Sequence, residues 1–262
     1  MTIDTATNRS AFQRAAIILA VVIQIGATFL PQLGFGEPIG DRSDSVRTLI
    51  TPSGWAFAIW GPLFLGSAIF AIWQALPAQR KNALVDAIAW PAAIALSAQG
   101  VWATYTQFAN LTAISAIIIL VSLGGLLLVL RQLVAARSLS SGERWFVALV
   151  FSALAAWLTA ASIVNVSATL AYYGIGGNFT VPWAAAIMVA IGGVIAAIAV
   201  LSSRGNPWYA AVFCWALTAI YFRGGQEAQS IAIACIFAGI ITVVAAIIGL
   251  SKASNRRHWI GV

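Results

Sequence analysis

Long apolar runs dominate this chain, and they leave few folds open to it. The stretches at about 15–34, 54–75, 87–108, 111–134, 145–168, 183–202, 208–222 and 229–250 are almost free of charge. A helix needs about 20 apolar residues to cross the hydrocarbon core of a bilayer. In lipid a helix satisfies its own backbone, whereas a loop or an open strand cannot. The period-two alternation of a membrane barrel is missing from these stretches. The expected fold class is therefore all-α: a polytopic transmembrane helix bundle of about eight helices, with 208–222 the shortest and the least sharply bounded. Composition agrees, since 61% of the 262 residues are hydrophobic and only 8% are charged, against about 25% charged in a soluble domain.

Basic residues set the expected orientation. With the N-terminus in the cytoplasm, Arg9, Arg14, Arg80, Lys81, Arg131, Arg137, Arg144, Arg204, Lys252, Arg256 and Arg257 fall inside. Only Arg42, Arg47 and Arg223 fall outside. This asymmetry follows the positive-inside rule and requires an even number of spans. It also accounts for the net charge of +7 without a nucleic-acid partner, and none is expected. A cleaved signal peptide is the alternative reading of the first helix, but no small-residue cleavage site follows its apolar core. The expected location is an integral membrane protein of a bacterial inner membrane, with both termini cytoplasmic.

Several chemistries lack their residues. None of the acids Asp4, Glu37, Asp41, Asp44, Asp86, Glu143 and Glu227 lies in the middle of a span, where ion-coupled transporters place ionisable groups. Cys214 and Cys235 lie inside apolar runs and read as small buried hydrophobes. The single histidine, His258, is in the polar C-terminal tail, so no metal ligand is expected inside the membrane. No catalytic constellation is visible, and an enzyme is not expected. Arg223 and Glu227 flank "GGQ" and read as an interfacial loop pair. The segment "YYGIGGNFT" (172–180) is Gly-rich but lacks the Gly-Lys-Ser of a phosphate cradle. Its tripeptide at Asn178 would matter only in a secretory pathway.

What the chain does have is tryptophan, eleven of them. Trp55, Trp73, Trp90, Trp145, Trp183, Trp208 and Trp259 sit near predicted helix ends, as interfacial belts do. Trp60, Trp102, Trp157 and Trp215 lie deeper. With the orientation above, Trp60, Gln99 and Trp102 fall in the outer halves of their helices, Trp157 lies near mid-depth, and Asn165 lies near an outer end. Positions 157, 161 and 165 form one drifting stripe, with the small Ala161 leaving space beside the Trp157 ring. Aromatic faces and amides thus gather at similar depth beneath the longest connection, 35–53. Two readings are open: an apolar pocket with few polar groups for a flat ligand, or amide glue between helices. For Asn165 the ligand role is favoured, because Ala161 leaves room that tight packing would fill.

These residues resemble the TspO/MBR family, the tryptophan-rich sensory proteins related to the mitochondrial translocator protein. "WLTAASIVN" (157–165) resembles the family's W-x-x-F-A-x-x-L-N of the fifth helix: Trp157, Ala161 and Asn165 match, while Ala160 and Val164 depart from it. "WGPLF" (60–64) is similar to W-x-x-L-Y, with Phe64 for tyrosine, and "QGVW" (99–102) to N-x-x-W, with Gln99 for asparagine. The phenylalanine of the family four residues before Trp60 is here Ala56, with Phe57 beside it. The resemblance covers about residues 15–170. It implies a five-helix core (1–170) followed by three added helices and a short basic tail (171–262).

The resemblance also implies function. The first expectation is a membrane binding protein or sensor for a flat hydrophobic ligand, a porphyrin or related tetrapyrrole. Trp60, Phe64, Trp102 and Trp157 would supply ring faces, Ala161 space, Gln99 and Asn165 hydrogen bonds, and loop 35–53 would close the outer mouth. Without an embedded histidine, an unligated porphyrin is favoured over tightly ligated haem. A small-molecule transporter and an interaction subunit of a membrane complex are the alternatives, and a homodimer or membrane-protein partner is compatible with each.

Overall fold

The computed structural model describes residues 9–175 and 181–262; the acid Asp4, residues 176–180 and with them Asn178 lie outside the described residues. Its long helices are α1 (Ala11–Phe29), α3 (Gly54–Ala75), α4 (Ala83–Ala109), α5 (Ala113–Ala135), α6 (Ser141–Tyr172), α7 (Pro182–Ser202) and α10 (Gln229–Leu250), each long and apolar enough to span a bilayer. Shorter ones are α2 (Ile39–Ser45), α8 (Pro207–Tyr221), α9 (Gly224–Glu227) and α11 (Ala253–Trp259). The protein is an all-helical polytopic bundle. The first span ends earlier than the apolar run suggests, because Pro31 removes a backbone donor and the chain tightens into 3-10 turns at Ala27–Phe29 and Pro31–Leu33.

α1, α3, α4, α5 and α6 form a ring. α1 packs on both α3 and α4, α4 on α5, α5 on α6, and α6 on α3. Small residues make the tight joints, as in other membrane bundles. A Cβ added at Gly100 of α4 would lie 2.6 Å from the Ile23 carbonyl oxygen of α1, and one at Gly125 of α5 would lie 2.8 Å from the Pro91 carbonyl oxygen of α4. α3 and α4 barely meet, and a cleft opens where they part. α6 is the axis of the molecule: 78% of its most apolar window is buried. Its start is held by a capping box between Ser140 and Glu143.

The C-terminal helices attach through α8, which packs on α6, while α7 and α10 pair closely outside it. Two buried polar contacts join α6 to this region: Asn206 Nδ2 donates to Ser152 Oγ at 2.7 Å, and Tyr209 OH donates to Thr159 Oγ1 at 2.8 Å.

Backbone and side-chain bonds bring the connections rich in basic residues to one end of the bundle. Arg9 N donates to the Arg80 carbonyl, Asn82 to Glu143, Arg144 to the Arg257 carbonyl, and Trp259 Nε1 to the Ser203 carbonyl. The first and last described segments therefore share an end of the bundle, and α8 runs from that end to the other. At 15 residues it is only about 22 Å long. It suffices because the preceding loop dips into the bundle: Asn206 is fully buried, and Gly205 (φ +76°) lies against Gly249 of α10. α11 roofs this dip. The C-terminal tail, expected to be polar at His258 and to place Trp259 in an interfacial belt, instead buries His258 (4% exposed) and Trp259 (0%), because their ring nitrogens meet the Leu133 and Ser203 carbonyls left free near the ends of α5 and α7.

Candidate ligand-binding site

The cleft between α3 and α4 has a volume of about 720 Å³, inside the range of about 300–1,000 Å³ usual for small-molecule sites. One wall is aromatic. Trp60 and Phe64 stack with ring centroids 5.0 Å apart and planes 21° apart. The other wall, from α1 and α4, carries Gln24, Gln99, Trp102 and Gln107. Above them lies α2, which contributes Ile39, Asp41 and Asp44.

A second, smaller chamber of about 50 Å³ lies beside the cleft, lined by Trp157, Ala161, Asn165 and Val164 of α6 and by Ala216 and Ile220 of α8. That volume holds a few waters or one small substituent, not a ring system. Ile39, Phe57 and Trp102 line both spaces and form the partition between them. The seven residues singled out from the sequence therefore divide: Trp60, Phe64 and Gln99 face the cleft, Trp157, Ala161 and Asn165 the chamber, and Trp102 both. The two groups touch through aromatic edges. Trp157 meets Trp60 edge-on at 5.9 Å and Phe57 at 6.5 Å.

Phe57 was not among the residues chosen from the sequence, and its position has a local cause. Gly54–Ile59 is a 3-10 helix, where residues three apart eclipse one another. Phe57 thus shares a face with Trp60, a role that α-helical spacing would give to Ala56. Ala56 is instead buried behind the site, where its carbonyl accepts from Trp215 Nε1 at 3.2 Å.

Asn165 is 1% exposed. One end of its amide is bound: Oδ1 lies 3.0 Å from Ser115 Oγ of α5 and 3.5 Å from Thr169 Oγ1. The other end, Nδ2, has no partner. The same is true of the indole nitrogens of Trp102 and Trp157. Buried polar atoms of this kind are uncommon, and they gather here around both spaces.

The connection 35–53 is fastened on two sides. On one, Arg42 Nη2 donates to the Gln107 carbonyl at 3.0 Å and Nη1 pairs with Glu37 at 3.2 Å. On the other, it is held by the C-terminal region. Arg223 pairs with Asp44 at 2.7 Å and donates to the Pro52 carbonyl at 3.1 Å, and Glu227 pairs with Arg47. Arg223 and Glu227, expected to pair with each other, each reach instead to the connection above the cleft. Gly224 between them lies so close to the Leu49 carbonyl oxygen that an added Cβ would sit 1.7 Å away.

Comparison with curated proteins and with solved structures finds no match. Comparison with protein families does: the model described as TSPO-like protein matches residues 10–248, across the ring, the partition and all three helices that follow. An integral membrane bundle with aromatic rings and amides at the mouth of its helix ring is thus a member of a known group, and the chain belongs to the TSPO-like protein family.

Proposed function

We propose that this protein is a membrane receptor for a flat hydrophobic ligand, most simply a tetrapyrrole, held in the cleft between α3 and α4. The observation that carries this reading is the pairing of a stacked aromatic wall, Trp60 and Phe64, with a wall of buried amides in one 720 Å³ space. The ligand's ring body lies against Trp60 and Phe64. A peripheral group reaches past Phe57 and Trp102 into the chamber beside Trp157 and Asn165, whose 50 Å³ admits no more than that.

The connection 35–53 acts as the lid, and the helices after residue 170 serve the site in two ways. α8 supplies Ala216 and Ile220 to the chamber wall, and Arg223 and Glu227 hold the lid down. The basic end of the bundle faces the cytoplasm, following the positive-inside rule, so the cleft opens toward the outer side.

Titration of the purified protein with protoporphyrin, followed by quenching of tryptophan fluorescence, tests this. Ring stacking adds roughly 0.5–1.5 kcal/mol beyond area burial, so Trp60→Phe and Phe64→Leu, which alter the stacked wall, should each weaken binding several-fold. Equal affinity in the wild type and both variants would place the site elsewhere.

A further inference from the structure

A second space lies away from the cleft, in the seam between α5 and α7. α5 leans on α4 and α6, and α7 leans chiefly on α10, so the two part near the basic end of the bundle. The groove they leave has a volume of about 420 Å³, inside the range of about 300–1,000 Å³ usual for small-molecule sites. Leu127, Leu130 and Val134 line one side and Ala199 the other, where the small alanine keeps the seam open. The exposed apolar side chains of Leu128 and Ile198 lie on the same two helices, so the groove opens toward lipid. α11 closes its end: His258 meets the Leu133 carbonyl of α5, and Trp259 meets the Ser203 carbonyl just after α7.

One charge stands in this apolar wall. Arg131 lines the groove about one turn before the end of α5, and it is exposed. Leu127, Leu130, Arg131 and Val134 follow the i, i+3, i+4, i+7 spacing of a single helix face. Among the described residues no carboxylate lies within ion-pair distance of Arg131, because the three ion pairs all sit at the opposite, lid end. Other arginines at the basic end are occupied. Arg144 donates to the Leu139 carbonyl, Arg256 donates to the Leu250 carbonyl, and Arg204 lies against His258. Apolar walls by themselves do not choose among lipids, since lipid tails are as apolar as leucine. A guanidinium at the mouth does choose, because its planar fork fits a phosphate and its charge favours an anionic headgroup.

We infer that the groove between α5 and α7 holds one anionic phospholipid, with an acyl chain along Leu127, Leu130 and Val134 and the headgroup phosphate on the Arg131 guanidinium. The lipid bridges α5 of the five-helix ring to α7 of the added helices, at a seam where the two share few side-chain contacts of their own. The site is independent of the cleft between α3 and α4 and of what binds there.

Native mass spectrometry of the purified protein in detergent, with equimolar dioleoyl phosphatidylglycerol and dioleoyl phosphatidylcholine, counts the lipids retained. The chains are identical, so the comparison isolates the headgroup. The wild type should retain a single phosphatidylglycerol with a preference of about fivefold, the scale of one basic residue acting on an anionic lipid. Arg131→Gln should lose most of that preference. Arg137→Gln removes an exposed charge from the same end but outside the groove, and should keep the preference within about twofold. Ala199→Leu narrows the groove without touching the charge, and should lower phosphatidylglycerol retention several-fold. Excess inorganic phosphate at fixed ionic strength should leave the lipid in place. Equal retention of the two lipids by the wild type, or equal losses in Arg131→Gln and Arg137→Gln, would overturn the assignment in favour of the diffuse charge of the basic end. Retention indifferent to Ala199→Leu, or displacement by phosphate, would overturn it by showing that no chain occupies the groove. A lipid-free dimer would overturn it by giving the seam to a second copy.

Discussion

Arg223 Nη2 lies 2.7 Å from Asp44 Oδ1, tying the turn after α8 to the short helix above the cleft. The carboxylate side chain is 56% exposed and the guanidinium 21%, so the pair contributes under about 1 kcal/mol to global stability. Its consequence is local, because it fastens the connection 35–53, the lid of the proposed site. Arg223→Gln and Asp44→Asn should each leave the melting temperature nearly unchanged and speed ligand dissociation several-fold, measured by stopped-flow quenching with protoporphyrin. Added salt should act in the same direction on the wild type, since exposed pairs are screened. Unaltered dissociation in both variants would show that the lid is not rate-limiting.

Asn165 and Ser115 join α6 to α5 through a 3.0 Å bond. Interhelical bonds of this kind contribute roughly 0.6 kcal/mol on average. Asn165→Ala and Ser115→Ala should each lower unliganded stability in detergent by about 0.5 to 1 kcal/mol. The double variant should lose less than the sum, because both remove one interaction. Strictly additive losses in chemical denaturation would mean that the bond contributes nothing and that Asn165 serves the chamber alone.

His258 predicts a dependence on pH. Its Nε2 faces the Leu133 carbonyl at 3.1 Å, and its Nδ1 faces Arg204 Nη1 at 3.3 Å. The ring is therefore neutral, donating from Nε2 and accepting at Nδ1. Burial, with repulsion from Arg204 and Arg144, holds its pKa below the ordinary 6.5. The unfolded chain thus binds a proton that the folded one resists, and stability falls as pH drops below about 6.5. Melting temperatures between about pH 7.5 and 5 should decline in the wild type and decline less in His258→Gln. Parallel curves would remove His258 from the account.

Orientation is open to labelling. Ser254 is exposed at the basic end and Ser45 at the lid end, whereas Ser43 is buried and unsuitable. An impermeant thiol reagent on intact cells should modify Ser45→Cys and spare Ser254→Cys, after allowance for the native Cys214 and Cys235. The reverse pattern would invert the protein in its membrane.

The spans were legible in the sequence because each membrane helix answers to a local condition: about twenty apolar residues that satisfy their own backbone. That the first and last described segments share an end of the bundle was legible for a similar reason, since charge is counted loop by loop. Trp60, Gln99, Trp102, Trp157 and Asn165 could be placed at neighbouring depths by counting along helices. The partition of the site could not be read that way. It depends on six residues, Gly54–Ile59, adopting a tighter helix, which brings Phe57 rather than Ala56 onto the Trp60 face. Pairings across the molecule were equally out of reach. Arg223 meets Asp44 and Gln24 meets Gln99 because helices far apart in sequence pack at particular heights. His258 read as part of a polar tail and Trp259 as part of an interfacial belt, because their neighbours in sequence are polar. They are buried because the dipping loop at Asn206 leaves a hollow with open carbonyls, and only the folded bundle creates that hollow.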